Sequence, residues 1–395
     1  MDQPSVQFSR RVQGVAGSAI RALFKHSARP DVISFAGGNP GSFALPDQQM
    51  ASLAQQLLKD QGKVLLQYGQ TEGYAPLLDL LPGYIADALG AQVSRENLLI
   101  TTGSMQGLDL LLKVLTNPGD VVLTESPVFL GALQAMHLFQ TKVVPVPCDE
   151  DGMDMEALER LMQQHKPKLL YTIPTFQNPT GHTLSLGRRQ HVAHLAARYG
   201  VVVAEDDPYH QLRYDGSPLP TIKTFDTEGW VVLLGSFSKI ISPGLRVGFM
   251  AGPPALLERC GVCKQCSDVH TANLNQALVA AFLQQGLLAP HVHSLCQRYG
   301  SRRDAMLDAL AGVGGISHYT RPQGGLFVFA ELAPGLKAEP LFHHALQQGV
   351  AFVPGEHFYA EGGHTNTLRL NFSNADEDTI SRGIGILAQC LNGLQ

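Results

Sequence analysis

The chain has 395 residues, of which 44% are hydrophobic and 16% charged, so its composition is that of an ordinary globular protein and its length favours two subdomains. A net charge of −5 without any block of Lys and Arg argues against nucleic acid as a partner. No apolar run approaches the roughly 20 residues of a membrane span, and residues 1–4 lack a signal-peptide pattern, so we expect no membrane partner and a cytoplasmic location.

The N-terminal region is predicted to be an arm followed by a short strand. Residues 1–30 are polar, with a weakly helical stretch at 18–25, and residues 31–35 have a strand pattern. The strand ends in Ala-Gly-Gly-Asn-Pro, where Gly38 would let the backbone approach a ligand closely, although an ordinary loop explains it equally well. An amphipathic helix at 46–59 and a loop containing Tyr68 come next.

A glycine turn follows the predicted strand at 97–101. The sequence Thr-Gly-Ser-Met-Gln at 102–106 opens a helix whose leucines have the helical period. Backbone N–H groups and the positive end of the helix dipole make such a turn a site for phosphate, although many α/β turns look the same. Further elements are predicted as strands at 121–124, 142–147, 168–173 and 201–204 and a helix at 155–163.

Polar residues follow two of these strands. Asn-Pro-Thr-Gly at 178–181 is turn chemistry in any protein. The apolar, β-branched strand 201–204 is typical of a parallel sheet, and Glu-Asp-Asp-Pro-Tyr follows it at 205–209. Because ligands of open α/β sheets lie beyond the carboxyl ends of strands, acids here are placed for chemistry. Chemistry alone does not separate Asp206 from Asp207.

The segment 235–249 concentrates groups that suit one anionic ligand. After a strand at 230–234, two hydroxyls, one amine and one guanidinium occur within eleven residues: Ser236, Ser238, Lys239 and Arg246. A lysine can form a Schiff base with a carbonyl, and hydroxyls and arginine bind phosphate. This combination predicts a pyridoxal 5′-phosphate (PLP) site. The alternative is a strand followed by a solvated basic turn.

A C-x-x-C-x-x-C run at Cys260, Cys263 and Cys266 allows two interpretations. It could ligate an iron–sulfur cluster or zinc, yet a cluster needs a fourth ligand and the next cysteine is Cys296. The same spacing places the three residues on one helical face, where free cysteine behaves as a small buried hydrophobe. We favour the second interpretation and predict no metal site.

The pattern of strands and helices changes after residue 283. A long helical region containing 296–310 precedes predicted strands at 326–330, 350–354 and 367–372, which indicates a smaller α+β domain. We predict an N-terminal arm at 1–45 that contributes to the small domain and substrate pocket, a large domain at 46–288 and a small domain at 289–395.

The stretch Ser-Phe-Ser-Lys-Ile-Ile-Ser-Pro-Gly-Leu-Arg-Val-Gly at 236–248 resembles the cofactor-lysine signature of the class I and II aminotransferases. These are PLP enzymes of fold type I, and the resemblance is greatest to the 2-aminoadipate and kynurenine aminotransferase branch, which also supplies part of some bacterial regulators. It extends from about Ser18 to the C-terminus. It implies an α/β fold, in which a large domain has a mostly parallel sheet flanked by helices and a smaller domain is α+β.

The resemblance also implies roles around the cofactor. Lys239 would form the Schiff base and move the proton, and Asp206 would keep the pyridine nitrogen protonated. Asn178 and Tyr209 would contact the phenolic oxygen, and Phe129 would stack on the ring. The phosphate would be held by Gly103, Ser104, Met105, Ser236, Ser238 and Arg246. The family commonly has glutamine where Met105 stands, so a side-chain contact is lost there.

Substrate and dimer contacts follow in the same way. Arg369 lies on an alternating strand, and alternation alone points it to solvent. The resemblance instead implies that Arg369 clamps the substrate α-carboxylate, that Gly38 and Asn178 line the pocket, and that Tyr68 reaches the partner's cofactor phosphate in a homodimer. Arg21 would lie on a helix that covers the pocket, where it would favour an acidic side chain, or would be a solvated helix residue.

The sequence thus predicts a ping-pong aminotransferase that uses an L-amino acid and a 2-oxo acid, with 2-oxoglutarate as the expected acceptor. A PLP-dependent lyase or decarboxylase of the same fold is one alternative. A non-enzymatic regulator domain is another, but such regulators normally carry an N-terminal winged helix-turn-helix for which we expect no room here. The set of acid, lysine and clamp favours catalysis.

Overall fold

The structure, a computed structural model, describes residues 6–13 and 31–394. In chain order its strands are β1 Ile33–Ser34, β2 Leu98–Thr101, β3 Val121–Ser126, β4 Lys142–Asp149, β5 Gly152–Met153, β6 Leu169–Thr172, β7 Val202–Asp207, β8 Val231–Ser236, β9 Gly248–Ala251, β10 Ile316–Tyr319, β11 Phe327–Leu332, β12 Val350–Ala351, β13 Val353–Pro354 and β14 Thr367–Asn371.

The α-helices of the described residues lie before, between and after these strands. They are α1 Arg10–Gln13, α2 Asp47–Leu65, α3 Ala75–Leu89, α4 Ser104–Leu115, α5 Leu130–Leu138, α6 Met155–His165, α7 Leu186–Tyr199, α8 Pro254–Gln265, α9 Asn273–Gln284, α10 Leu288–Leu310, α11 Ala338–Gln347 and α12 Glu377–Asn392. None of these helices is both long enough and apolar enough to span a membrane.

An eight-stranded sheet forms the larger layer, in the order β2-β9-β8-β7-β6-β3-β4-β5. The pairs from β8 through β7, β6 and β3 to β4 are parallel, whereas β9 is antiparallel to both its neighbours. Successive residues alternate between two hydrophobic clusters, with Val203 in one and Ala204 in the other. The central strands are therefore buried on both faces, as predicted for a parallel sheet.

A second, four-stranded antiparallel sheet has the order β10-β11-β14-β13. Residues 33–35, within the predicted arm 1–45, join this region, because β1 pairs in parallel with β12 and the Asn371 amide donates to the Phe35 carbonyl. The fold class is thus the expected one, a mostly parallel α/β sheet combined with a smaller α+β part. The domain ranges 1–45, 46–288 and 289–395 stay a prediction. Helix α10 begins at Leu288, one residue before the predicted start of the small domain.

Several predicted elements differ from the observed ones in extent. The strand expected at 31–35 has only two residues, the strand expected at 350–354 is divided into β12 and β13, and the helix expected at 46–59 continues to Leu65. The expectation that three cysteines share one buried helical face is wrong for Cys266. Since α8 ends at Gln265, Cys266 is exposed, whereas Cys260 is buried. The helical stretch expected at 18–25 lies outside the described residues.

Candidate active site

Lys239 lies just after β8, at the carboxyl ends of the parallel strands. Its Nζ donates a hydrogen bond to the Gly38 carbonyl oxygen over 2.7 Å, so the Gly-Gly loop lies against the lysine. Burial, together with the positive charges of Arg369 and Arg246, lowers the pKa of Lys239 to about 8, and the charge of Asp206 opposes this shift. A lysine with a lowered pKa is partly neutral near pH 8, the form that attacks a carbonyl.

Asp206 and Asp207, which are neighbours at the end of β7, have different partners. Asp206 accepts a hydrogen bond from Tyr171 Oη over 2.7 Å, and its Oδ1 atom is buried without a partner among the described residues. Asp207 Oδ2 instead lies 2.9 Å from Nδ1 of the buried His210. Burial raises the pKa of Asp206 to about 6, against hydrogen bonds from Tyr171 and Ser104 and the charge of Lys239. Asp206 is therefore the carboxylate that is electrostatically coupled to the lysine.

A second group of buried polar residues surrounds Arg369. Its Nη1 donates to Asn178 Oδ1 over 2.8 Å and its Nη2 to the Ala36 carbonyl over 2.7 Å. The side chain also lies over the rings of Phe327 and Phe358, at 4.3 and 5.0 Å from their centroids. The alternation of β14 pointed this arginine to solvent, and that expectation is wrong, because every residue of the strand is buried.

The charge of Arg369 lacks a compensating acid. No carboxylate of the described residues forms an ion pair with it, and its Nε has no hydrogen-bond partner there. Burial lowers the pKa of Arg369 to about 10. Tyr209 is buried nearby, hydrogen-bonded with Asn178, and burial holds its pKa well above the usual range. Such a cation, desolvated but not neutralised, is suited to bind an anion.

The predicted phosphate residues meet at the N-terminus of α4. Arg246 Nη2 donates to the Thr102 carbonyl over 3.2 Å, and Arg246 Nη1 lies 3.4 Å from Ser238 Oγ. Ser236 Oγ accepts a hydrogen bond from the Ser238 amide over 3.2 Å. Gly103 has φ +80°, and a Cβ there would lie 2.4 Å from Arg246 Nη2, so glycine is required both for backbone conformation and for space.

Other predicted residues have more distant or unexpected positions. Ser104 and Met105 lie in the first turn of α4, and the Ser104 side chain is one of the groups that oppose the rise in the pKa of Asp206 caused by burial. Phe129 precedes α5, and its ring covers Gly131. Tyr68 is 79% exposed and its ring lies edge-on to His270 at 5.9 Å. Arg21 lies outside the described residues.

Two further residues, which were not predicted from the sequence, support the site. Tyr171, which donates to Asp206, is fully buried on β6. Gln106 accepts a hydrogen bond from the Thr102 amide over 2.8 Å and so closes the glycine turn. A detectable signal existed for Gln106, since it directly follows the position where the family commonly has glutamine. Tyr171 gave no signal, because a tyrosine in an apolar strand is usually a core residue.

The cysteines form no metal-ligand group among the described residues. The group that can be recognised there comprises Glu339, Glu356 and His357, whose ligand atoms lie within 4.8 Å of one another. All three side chains are partly exposed, and exposed groups of this kind are common without an ion. We assign no metal to them.

The observed groups fit pyridoxal 5′-phosphate. The unpartnered Asp206 Oδ1 is suited to a pyridinium N–H, the turn at Gly103 with Arg246 to a phosphate, and Lys239 to an aldehyde. The unpartnered Arg369 Nε adds a position for a carboxylate. On this α/β framework, lysine, acid and phosphate turn define a PLP-dependent enzyme of fold type I.

Comparisons with known proteins give the family. The family described as aminotransferase class I and II matches residues 30–387. The 2-aminoadipate transaminase of Thermus thermophilus is 42% identical over 99% of this chain and 98% of its own length. Aromatic-amino-acid aminotransferase 1 of Thermococcus litoralis is 38% identical over 97% of this chain and 94% of its own length.

Among solved structures, the α-aminoadipate aminotransferase of Thermus thermophilus, complexed with N-(5′-phosphopyridoxyl)-L-leucine, superposes with a TM-score of 0.91. It is 40% identical and the match covers 98% of this chain and 97% of that one. The chain belongs to the class I and II aminotransferase family and is a PLP-dependent aminotransferase.

Proposed function

We propose that this aminotransferase moves the amino group of an L-amino acid to 2-oxoglutarate in two half-reactions, as a cytoplasmic homodimer. The observation that carries the proposal is the convergence of Lys239, Asp206 and Arg369, whose charges are close enough to shift the pKa of the lysine. These residues would supply a covalent attachment point, an acid and a carboxylate site close to one another.

The proposed residue roles rest on the resemblance, and the contacts of Asp206 support them. Asp206, buried and held by Tyr171, would bind the protonated ring nitrogen through its free Oδ1. Asn178 and Tyr209 would hold the phenolic oxygen, Phe129 would cover the ring, and the turn at 103–105 with Ser236, Ser238 and Arg246 would hold the phosphate. The cofactor, when bound, supplies an electron sink for the carbanion formed at the substrate Cα.

Lys239 would move the proton. It would hold the cofactor's aldehyde covalently and be released when the substrate amine takes its place. It would then remove the Cα proton as a base and, as an acid, deliver that proton to the cofactor carbon that had been the aldehyde. The Gly38 carbonyl, 2.7 Å from Nζ, would orient the released amine. Arg369 would fix the substrate α-carboxylate and thereby place the Cα–H bond at the lysine, which is the positioning that proximity catalysis requires.

The choice of acceptor rests on sequence resemblance and relatives. A 42% identical relative carries the name 2-aminoadipate transaminase, and the stretch containing Arg21 resembles the helix that offers an arginine to the substrate side chain in this branch. We propose that Arg21 favours a distal carboxylate, as in glutamate or 2-aminoadipate. The range of donors would be broad, since an arginine that swings out lets apolar side chains enter.

The test is a panel of L-amino acids, mixed one at a time with the holo-protein while the lysine-bound cofactor band is followed. Acidic and aromatic donors should convert the band and release their 2-oxo acids, and 2-oxoglutarate should restore it. Arg21→Gln should lower kcat/KM for acidic substrates by about tenfold or more and leave neutral donors little changed. Release of ammonia or carbon dioxide without an acceptor would indicate a lyase or a decarboxylase instead.

A further inference from the structure

Lys264 on α8 is fully buried, although it is charged and lies outside the groups assigned so far. Its Nζ donates to both carboxylate oxygens of Asp268 at 2.9 Å, to Gln106 Oε1 at 2.9 Å and to Thr271 Oγ1 at 3.1 Å. Burying an ammonium is costly unless every donor finds an acceptor, and this network provides them.

The network of Lys264 and Asp268 ends on the glycine turn. Asp268 Oδ2 accepts hydrogen bonds from Thr102 Oγ1 over 2.9 Å and from Gln106 Nε2 over 2.7 Å. Gln106 Oε1 in turn accepts from the Thr102 amide, and the Thr102 carbonyl accepts from Arg246. The residue directly before Gly103 is thus held at its amide, its carbonyl and its side chain.

We propose that Lys264 is a positioning residue for the phosphate of the cofactor. It neutralises the charge of Asp268 and thereby holds the turn at 102–106 in place. This inference rests on the proposed PLP site. Asp268 places a negative charge beside a turn that has to receive a phosphate dianion. Without the lysine, that charge would repel the phosphate, and the carboxylate would be free to leave Thr102 and Gln106.

A purely structural role makes a different prediction. If Lys264 only joined α8 to α4, its removal would loosen the whole site and weaken every ligand that attaches to Lys239. If it acts through the charge of Asp268, only ligands that carry a phosphate should be affected. Pyridoxal, which has the aldehyde and ring but no phosphate, separates the two roles.

The experiment measures the binding of PLP and of pyridoxal to the apo-protein through the absorbance of the lysine-bound chromophore. Lys264→Met should weaken PLP binding by about tenfold or more and change pyridoxal binding by less than about twofold. Lys264→Met with Asp268→Asn should restore most of the PLP affinity because the uncompensated charge is gone. Lys113→Met is the matched control, since it removes an exposed lysine of α4 that pairs with Asp109 and Ser267.

An equal loss for PLP and pyridoxal, or no recovery in the double variant, would overturn the proposal. If Lys264→Met does not fold, the double variant Lys264→Met with Asp268→Asn decides, because it buries no uncompensated charge and should bind PLP nearly as tightly as the wild type. Weaker PLP binding by that variant would also overturn it. A wild-type protein that binds no PLP would refute the proposed function instead, so the two failures are distinguishable.

Discussion

Arg369 Nη1 lies 2.8 Å from Asn178 Oδ1 and donates a hydrogen bond to it, across 191 residues of sequence. The contact joins β14 of the four-stranded sheet to the loop that follows β6 of the eight-stranded sheet. One end of this pair is the proposed carboxylate clamp and the other is the proposed contact to the cofactor's phenolic oxygen. A carboxylate bound at Arg369 would therefore be held at a defined position relative to the cofactor ring.

We expect Arg369→Gln to lower kcat/KM for amino acids by about ten- to a hundredfold, the size of a lost charge-assisted hydrogen bond. PLP binding, followed by absorbance, should change little. The control substrate is the amine that corresponds to the amino acid without its carboxylate, tested in single-turnover mixing. If wild type and variant differed as much with the amine as with the amino acid, the arginine would not be a carboxylate clamp.

The two neighbouring acids of β7 should differ in mutagenesis. Asp206→Asn removes the charge that is proposed to face the ring nitrogen, so we expect proton abstraction to slow by about ten- to a hundredfold or more. Asp207→Asn instead weakens the buried pair with His210. We therefore expect it to lower the free energy of unfolding and to leave the rate of proton abstraction little changed. Stopped-flow absorbance gives the rate and urea denaturation gives the stability. Equal rates for the two variants would mean that Asp206 is not the ring acid.

The stability of the apo-protein should depend on pH through Lys239. Its pKa falls from an ordinary 10.5 to about 8 in the folded state. Below about pH 8 Lys239 is protonated in both the folded and the unfolded state, so the folded state bears the full cost of the buried charge. Between about pH 8 and 10.5 Lys239 is protonated only in the unfolded state. The stability of the wild type therefore rises with pH across this interval.

Lys239→Met lacks this titration, so its stability advantage over the wild type at pH 7 should shrink as the pH rises from about 8 to 10.5. Urea denaturation of both apo-proteins at several pH values measures the difference. Lys113→Met, a change at the surface, reports effects that do not involve the active site. A constant difference between wild type and Lys239→Met would contradict the lowered pKa.

The exposure of Tyr68 leads to a prediction about assembly. If Tyr68 reaches the partner's phosphate, Lys239→Ala and Tyr68→Ala proteins should complement each other, because one site of the mixed dimer regains both residues. Random exchange at equal amounts would give about a quarter of the wild-type activity. The activity of the mixture against that of each protein alone is the measurement. An absence of recovery despite subunit exchange, or a fully active monomer, would refute the role of Tyr68.

Local pattern was sufficient to predict much of the framework. The strands that became β7 and β8 are apolar and β-branched runs, and the chemistry-bearing residues Asp206 and Lys239 follow or end them. Ligands of parallel sheets lie beyond such strand ends, so the sequence itself indicated both a site and a cofactor. The boundaries of the short strands were less accurate, since their pairing partners are distant in the chain.

The sequence by itself determined the sheet, the lysine signature and the glycine turn, because strand periodicity and turn chemistry are properties of neighbouring residues. The different partners of Asp206 and Asp207, the burial of Arg369 and the network of Lys264 were decided by tertiary structure. Each depends on a partner far away in sequence: Tyr171 for Asp206, Asn178 for Arg369 and Gln106 for Lys264. Those contacts form only when the whole chain packs. Packing leaves the buried charge of Lys264 paired with an acid and the buried charge of Arg369 without one among the described residues.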